Sequence, residues 1–390
     1  MATHFKYGGS TAARTMGCPA WLRLAETIPL VLDGNSNPAA DTGTMLHNCM
    51  EELYSLDSPI ETAEELLNKG REYKGQHLTQ ELVNDKLNPA IDAVDGIWKE
   101  LDIDLAHSYV EPLVKIDTDI GGSIDLIGIS KDKKTVLILD YKFGHVSVSA
   151  EDNKQLKFYA LAAATDPATR ELFDACDTIV MAIIQPNDDG EDLQMSEMSM
   201  DDLDTFETEY LAAVDLSDEP TAQPKGGSWC RYCPAEATCP VKTGAALKAS
   251  RVNEITSDKL AEYLPLADEV IAWAKAVKKM AHEQLELATP IKGYKLVNKR
   301  ATRVWNDQNA VEDKVRKAKK IKLADGFDYK LKSPAQLEKI CKGLGVDFKA
   351  YAPYISSVST GTTLAKETDK RPAALPIAGL EQLNQMLNKT

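Results

Sequence analysis

The chain has 390 residues, 43% hydrophobic and 27% charged, with a formal net charge of −15. That suffices for a sizeable core and two or three domains, while no apolar run approaches the roughly 20 residues of a membrane helix. MATHFKYGGSTAARTM lacks the apolar stretch of a secretory signal, and seven cysteines in such a chain point to metal ligands or buried thiols rather than disulfides; the expectation is a soluble, cytoplasmic protein.

Pro19, Pro29 and Pro38 break any long helix in residues 1–40. DTGTMLHNCMEELYSL predicts a helix over 41–56, capped by Asp41, Thr42 or Thr44, with Met45, Leu46, Cys49, Met50 and Leu53 as its apolar stripe. Residues 60–107 read as helical. VEPLVKID, TDIGG and SIDLIGI predict a hairpin over 110–129 with Gly121–Gly122 near its turn, and KDKK at 131–134 is a second turn before the strand TVLILDYKF. SAEDNKQLKFYALAAA predicts a helix over 149–164, with Ser149 and Asp152 in a capping-box spacing. TIVMAIIQ at 178–185 is a further buried strand, 201–214 an acidic helix, 218–228 a linker and 260–288 a long amphipathic helix. The order predicts a mixed α/β fold, with a small central sheet flanked by helices.

From Lys292 to Lys349 there are 16 Lys and Arg against 7 Asp and Glu, a net +9 that leaves −24 for the rest of the chain. A basic segment on an acidic body is either an electrostatic footprint for phosphates or a solvated helix surface. Its densest group is Lys314, Arg316, Lys317, Lys319 and Lys320, the candidate contacts to a DNA backbone.

The chemistry starts at the end of the strand TVLILDYKF. Asp140 and Lys142, two apart on a strand, face the same way, and two charges at a buried strand end are costly unless they act on something. Asp125 lies on the preceding strand, so the KDKK turn can bring it alongside Asp140. Paired carboxylates suit Mg²⁺ or Mn²⁺, and a lysine beside the metal can orient a water or offset charge on a phosphate. Gln155 and Tyr159 form Q-x-x-x-Y on one helix face, and His47 ends G-x-x-x-H in GTMLH.

This ordered set, with Asp125 first and Asp140–Tyr141–Lys142 as D-x-K, resembles the PD-(D/E)xK nucleases, in their RecB-like branch. The resemblance implies a restriction-endonuclease-like core with His47, Asp125, Asp140 and the Tyr141 carbonyl as metal ligands. It makes Lys142 the catalytic lysine, and Gln155 and Tyr159 supports of the site or the DNA. The activity it implies is a Mg²⁺- or Mn²⁺-dependent deoxyribonuclease, an exonuclease of phage DNA replication, recombination or degradation; the alternative is a non-catalytic DNA- or protein-binding accessory. With no phosphate-binding motor motif, any recombinase, helicase or polymerase partner would be a separate chain.

CRYCPAEATC holds Cys230, Cys233 and Cys239, a C-x2-C-x5-C metal signal, and Cys18 in MGCPAWLRL is the candidate fourth ligand. One cysteine before the core and three after it is the layout of iron–sulfur RecB-like nucleases, which implies a [4Fe–4S] cluster on the four thiolates; tetrahedral Zn²⁺ is the competing reading. Cys49, Cys176 and Cys341 read as buried thiols. The expected organisation is a nuclease domain over 1–245 stapled by the cluster, a helical connector over 246–290, and a basic accessory region over 291–390. The tail is similar to that of a phage-borne family without established chemistry.

Overall fold

In the computed structural model the apolar run Val136–Leu139 lies in the middle of a five-stranded sheet, and the reason is in its alternation. Val136 and Ile138 enter one hydrophobic cluster, Leu137, Leu139, Tyr141 and Phe143 the other. The next strand does the same, with Ile179, Met181 and Ile183 on one side and Val180, Ala182 and Ile184 on the other. A strand covered on both faces has no need of polar alternation, hence the continuous apolar sequence. The residues described are 5–28, 38–55, 58, 60–186, 192–252, 259–287 and 289–295, with 341–342 and 347–349.

In chain order the helices are α1 (Ala12–Gly17), α2 (Trp21–Glu26), α3 (Pro38–Tyr54), α4 (Ala63–Asn68), α5 (Gln80–Leu82), α6 (Asn88–Glu100), α7 (Lys154–Thr165), α8 (Met200–Asp218), α9 (Pro240–Ala249) and α10 (Leu260–Glu286). The strands are β1 (Glu72–Tyr73), β2 (Gln76–His77), β3 (Tyr109–Val110), β4 (Leu113–Lys115), β5 (Gly121–Ser123), β6 (Leu126–Ile129), β7 (Thr135–Tyr141), β8 (Thr178–Ile184) and β9 (Leu193–Ser199). The main sheet runs β3-β6-β7-β8-β9. All its pairs are antiparallel except β7 and β8, which α7 connects as a crossover. α7 and α8 pack on one face, α3, α4 and α6 on the other. The mixed α/β fold with a small sheet between helices is as expected. Chain contacts divide into two compact units, Met1–Asn306 and Asp307–Thr390. Among the described residues no helix is long and apolar enough to cross a membrane.

Four local expectations are corrected. The third helix starts at Pro38, not 41, because proline suits the first turn of a helix; Asp41, Thr42 and Thr44 lie inside it, and the two threonine hydroxyls bond back to the carbonyls of Pro38 and Ala40. α7 starts at Lys154 rather than near Ser149: Asn153 is its cap, accepting from the N–H groups of Gln155 and Leu156, while Ser149 accepts from Glu151 in the preceding loop. Gly121 and Gly122 are in strand β5, paired with Lys115 and Val114, so the turn lies at 116–120. The strand β9 and the small β1–β2 hairpin were not anticipated: LQMSEMS is half-exposed and polar, as an edge strand is, and lacks the apolar signal of β7.

The predicted hairpin over 110–129 is a single bent ribbon. β4–β5 form its outer part, β3 and β6 its inner part within the sheet. The bend falls where Glu111 and Asp125 lie opposite each other, the Glu111 N–H donating to the Asp125 carbonyl at 3.1 Å. The N-terminal segment closes over this region. Tyr7 bridges to Ile120, its hydroxyl donates to Asp218 at 2.7 Å, and Gly9 lies flat against the Tyr159 ring, where a Cβ would overlap the ring atoms. Gly9→Ala is therefore expected to lower stability by about 1–3 kcal/mol through overpacking and to displace Tyr159. Thermal unfolding checks it, and an unchanged melting temperature would refute the close approach.

Candidate metal centre and four-cysteine cavity

The register carries the strand-end charges to their neighbours. Leu126 pairs with Leu139, so Asp125, one residue earlier, comes beside Asp140. The pleat turns Asp140 and Lys142 toward α7, where Gln155 meets both. The Gln155 amide donates to Asp140 Oδ1 at 2.9 Å and to the Tyr159 hydroxyl at 3.0 Å, and its carbonyl accepts from Lys142 Nζ at 3.2 Å. Lys142 Nζ also lies 2.6 Å from Asp140 Oδ2, so each carboxylate oxygen faces a partner. Asp140 is only 3% exposed. Burial pushes its carboxyl up to about 6 against the opposing pull of Lys142, and the Asp125 charge adds to the rise.

On the other side of Asp125 stands His47. Its Nδ1 is 3.2 Å from Asp125 Oδ1, and Asp125 Oδ2 accepts from the Tyr141 N–H at 2.6 Å. Tyr141 and Phe143 hold the imidazole edge-on. Burial works to lower the His47 pKa, but the hydrogen bond and charge of Asp125, with Asp140 behind it, outweigh burial and raise it. Glu111 completes the group, and one ligand atom from each of His47, Glu111 and Asp125 lies within 4.8 Å of the others. Burial, with the charges of Asp125 and of Glu51 on α3, pushes Glu111 up to about 8. A histidine and two carboxylates gathered this closely suit a hard divalent cation, which relieves the repulsion between the carboxylates.

All the anticipated residues of the strand-end constellation, His47, Asp125, Asp140, Tyr141, Lys142, Gln155 and Tyr159, converge here. Asp140 lies outside the trio that gathers its ligand atoms, held instead by Gln155 and Lys142. Sequence reading missed Glu111. Its one signal is the pair Glu111–Pro112: the residue before a proline is restricted to extended backbone, yet Glu111 has φ 49°, a left-handed conformation that bends the ribbon and turns the carboxylate toward Asp125. Gln185 was also missed. It is 4% exposed, accepts from the Val148 N–H and donates to the carbonyls of Gly144 and Val146, so it pins the exposed loop that follows Lys142. The basic group Lys314, Arg316, Lys317, Lys319 and Lys320 lies outside the described residues.

Some distance along the chain the cysteines also converge. Cys18 ends α1, Cys230 ends a short 3-10 turn and Cys239 precedes α9; with Cys233 they line one small cavity, beside Arg14 and Trp21. The Lys225 N–H points at Cys18 Sγ and the Gly227 N–H at Cys230 Sγ, each at 3.4 Å. Burial raises the Cys233 thiol, and the neighbouring Cys230 and Cys18 add to it. Trp229 closes the wall against the bare backbones of Gly17 and Gly227, where a Cβ would overlap its ring. Cys49, Cys176 and Cys341 are buried, as expected; burial pushes Cys49 up to about 11, which keeps it an inert thiol.

Fold and site together define a mixed α/β protein with a His/Glu/Asp group able to hold a divalent cation beside a buried lysine–aspartate pair. The chain belongs to the family described as "Protein of unknown function (DUF2800)", whose model matches residues 4–372. Among solved structures, that described as "Crystal structure of SSO0001" is similar at 14% identity and a TM-score of 0.24, over 51% of this chain and 96% of that one. "Crystal Structure of LHK-Exo in complex with dAMP" is similar at 14% identity and a TM-score of 0.22, over 53% of this chain and 90% of that one. Likeness at this level carries nothing about the site.

Proposed function

We propose that this protein is a metal-dependent nuclease that hydrolyses phosphodiester bonds in DNA, acting as an exonuclease. The observation that supports it best is Asp140: a carboxylate buried to 3% exposure, paired at 2.6 Å with Lys142 and held by Gln155, beside a His/Glu/Asp trio. A lysine–aspartate pair buried this deeply beside further carboxylates carries a desolvation cost that a purely structural role seldom demands, and it is placed to act on a cation or a phosphate. His47, Asp125 and Glu111 would hold Mg²⁺ or Mn²⁺, with Asp140 and the Tyr141 carbonyl adjoining. A divalent cation there supplies Lewis-acid activation and charge neutralisation at the scissile phosphate. Lys142, 26% exposed on its side chain, reaches toward solvent and would orient the attacking water and offset charge developing on the phosphate. Gln155 holds Lys142 and Asp140 in one orientation, and Tyr159 holds Gln155.

Cleavage of end-labelled linear and of circular DNA, with Mn²⁺, with Mg²⁺ and with EDTA, tests this reading. Metal-dependent loss of linear DNA alone is the expected result, and absence of cleavage of either form with both metals would refute it.

The four cysteines are proposed to hold a [4Fe–4S] cluster that ties the N-terminal segment to the end of the nuclease core. The thiols wall a single cavity, and four thiolates suit such a cluster. Anaerobically purified protein should contain iron and acid-labile sulfide in equal amounts, falling sharply in Cys233→Ser. One zinc per chain would favour the competing reading. Because ligation accompanies folding, loss of the metal should also destabilise the fold.

A further inference from the structure

Tyr232 lies between two of the clustered cysteines and has φ 63°. Left-handed backbone is unfavourable for any side chain with a Cβ and natural for glycine. Among the described residues the other non-glycine cases are Lys74, Asp102, Glu111, Lys133 and Asp152, none of them aromatic. Strain of this kind persists where the surroundings over-determine it, often at binding sites. Burial does not explain it here, since the ring is 73% exposed.

The residue is nonetheless firmly held. Arg14 donates from Nη2 to the Tyr232 carbonyl at 3.1 Å. The Arg231 guanidinium lies 5.2 Å from the ring centroid, and the Cys233 N–H closes the turn on the Cys230 carbonyl. Arg14 belongs to α1, the helix that follows Gly9, and Gly9 packs against the ring of Tyr159. One short segment thus fixes both the exposed Tyr232 and the tyrosine of the candidate metal site. The ring also borders a cavity of about 1390 Å³ that runs along α10. Four lysine or arginine residues and four carboxylates line it, so its charge does not select a polyanion. What it offers is an aromatic face with a guanidinium against it, the pair on which an unpaired base stacks irrespective of sequence.

We propose that Tyr232, backed by Arg231, is a stacking platform for an unpaired base of single-stranded DNA. The platform holds an unpaired stretch of a strand on the protein, and its part in cleavage rests on the nuclease reading.

The test is equilibrium binding of a short fluorescent oligothymidine by the full chain, in EDTA so that no cleavage is required. Y232G is the informative variant, since glycine relieves the left-handed backbone while removing the ring. It is expected to melt at or above the wild-type temperature with unchanged metal content, and to bind the oligonucleotide roughly five- to a hundredfold more weakly. Y232W should restore binding. The wild-type-to-Y232G ratio should stay constant with salt, because the ring contacts no phosphate. Equal binding by Y232G and wild type would overturn the proposal. So would a lower melting temperature for Y232G, which assigns the ring a structural role, or a wild type that binds no oligonucleotide. A wild type that binds in this way but cuts no DNA would sink the nuclease reading and leave the platform standing.

Discussion

Asp140→Asn is expected to cripple DNA cleavage, by roughly 10²- to 10³-fold in kcat, while leaving the protein at least as stable as wild type. The loss follows because an amide neither neutralises a cation nor orients Lys142, and single groups that stabilise developing charge are commonly worth about 10²–10³. The stability follows from burial. The Asp140 charge is held out of water at a cost that its ion pair only partly offsets. Asparagine keeps the acceptor for the Gln155 amide and removes that charge, while Lys142 retains access to solvent. Lys142→Ala should lose activity by a similar factor with the opposite sign in stability. It strands a buried carboxylate and should cost about 1–3 kcal/mol. Thermal melts beside single-turnover cleavage separate the two variants. Retained cleavage in Asp140→Asn, or a strong loss of its stability, would contradict the assignment.

Metal removal should expose a pH dependence of the same origin. Asp140, Glu111 and His47 all bind their protons more tightly in the fold than in the unfolded chain. Their contribution to stability is therefore complete on the acid side. It is lost as pH rises, through about 6 for Asp140 and about 8 for Glu111. In EDTA the protein should become progressively less stable between about pH 4 and pH 8, by on the order of 3 kcal/mol from Asp140, with a smaller, solvent-screened addition from the part-exposed Glu111. That is several degrees in melting temperature for a domain of this size. Mn²⁺ should restore the loss, because the cation takes the place of the protons. The difference between melting temperatures with Mn²⁺ and with EDTA should widen with pH, and Glu111→Gln should flatten its upper part. A difference independent of pH would show that no metal binds at this group.

Much of this site is legible in the sequence, and the reasons differ residue by residue. Asp125 meets Asp140 because a short turn fixes the register of β6 on β7, and register follows from local rules. Gln155 and Tyr159 share a face because helical spacing puts them there. The start of α7 is not so secured: Ser149 and Asn153 are both competent caps, and the choice between them is made by the loop that Gln185 pins from another strand. Glu111 was hidden for a similar reason. Nothing in VEP announces a ligand, and its approach to Asp125 depends on a bent ribbon and on a backbone conformation that proline normally discourages. The edge strand β9 escaped because its apolar residues are few and half-exposed.

The N-terminal segment carries a consequence for how the molecule is made. Lys6 and Tyr7 bond to Asp218, Arg14 to Tyr232, and Cys18 shares a cavity with Cys239. These contacts join parts of the chain separated by more than 200 positions, whereas closing so long a loop costs only slowly increasing entropy. A ribosome must therefore have synthesised nearly 240 residues before the segment that packs on Tyr159 can be locked in place. Until then Tyr159, and through it the Gln155 that holds Asp140 and Lys142, lacks the packing of Gly9.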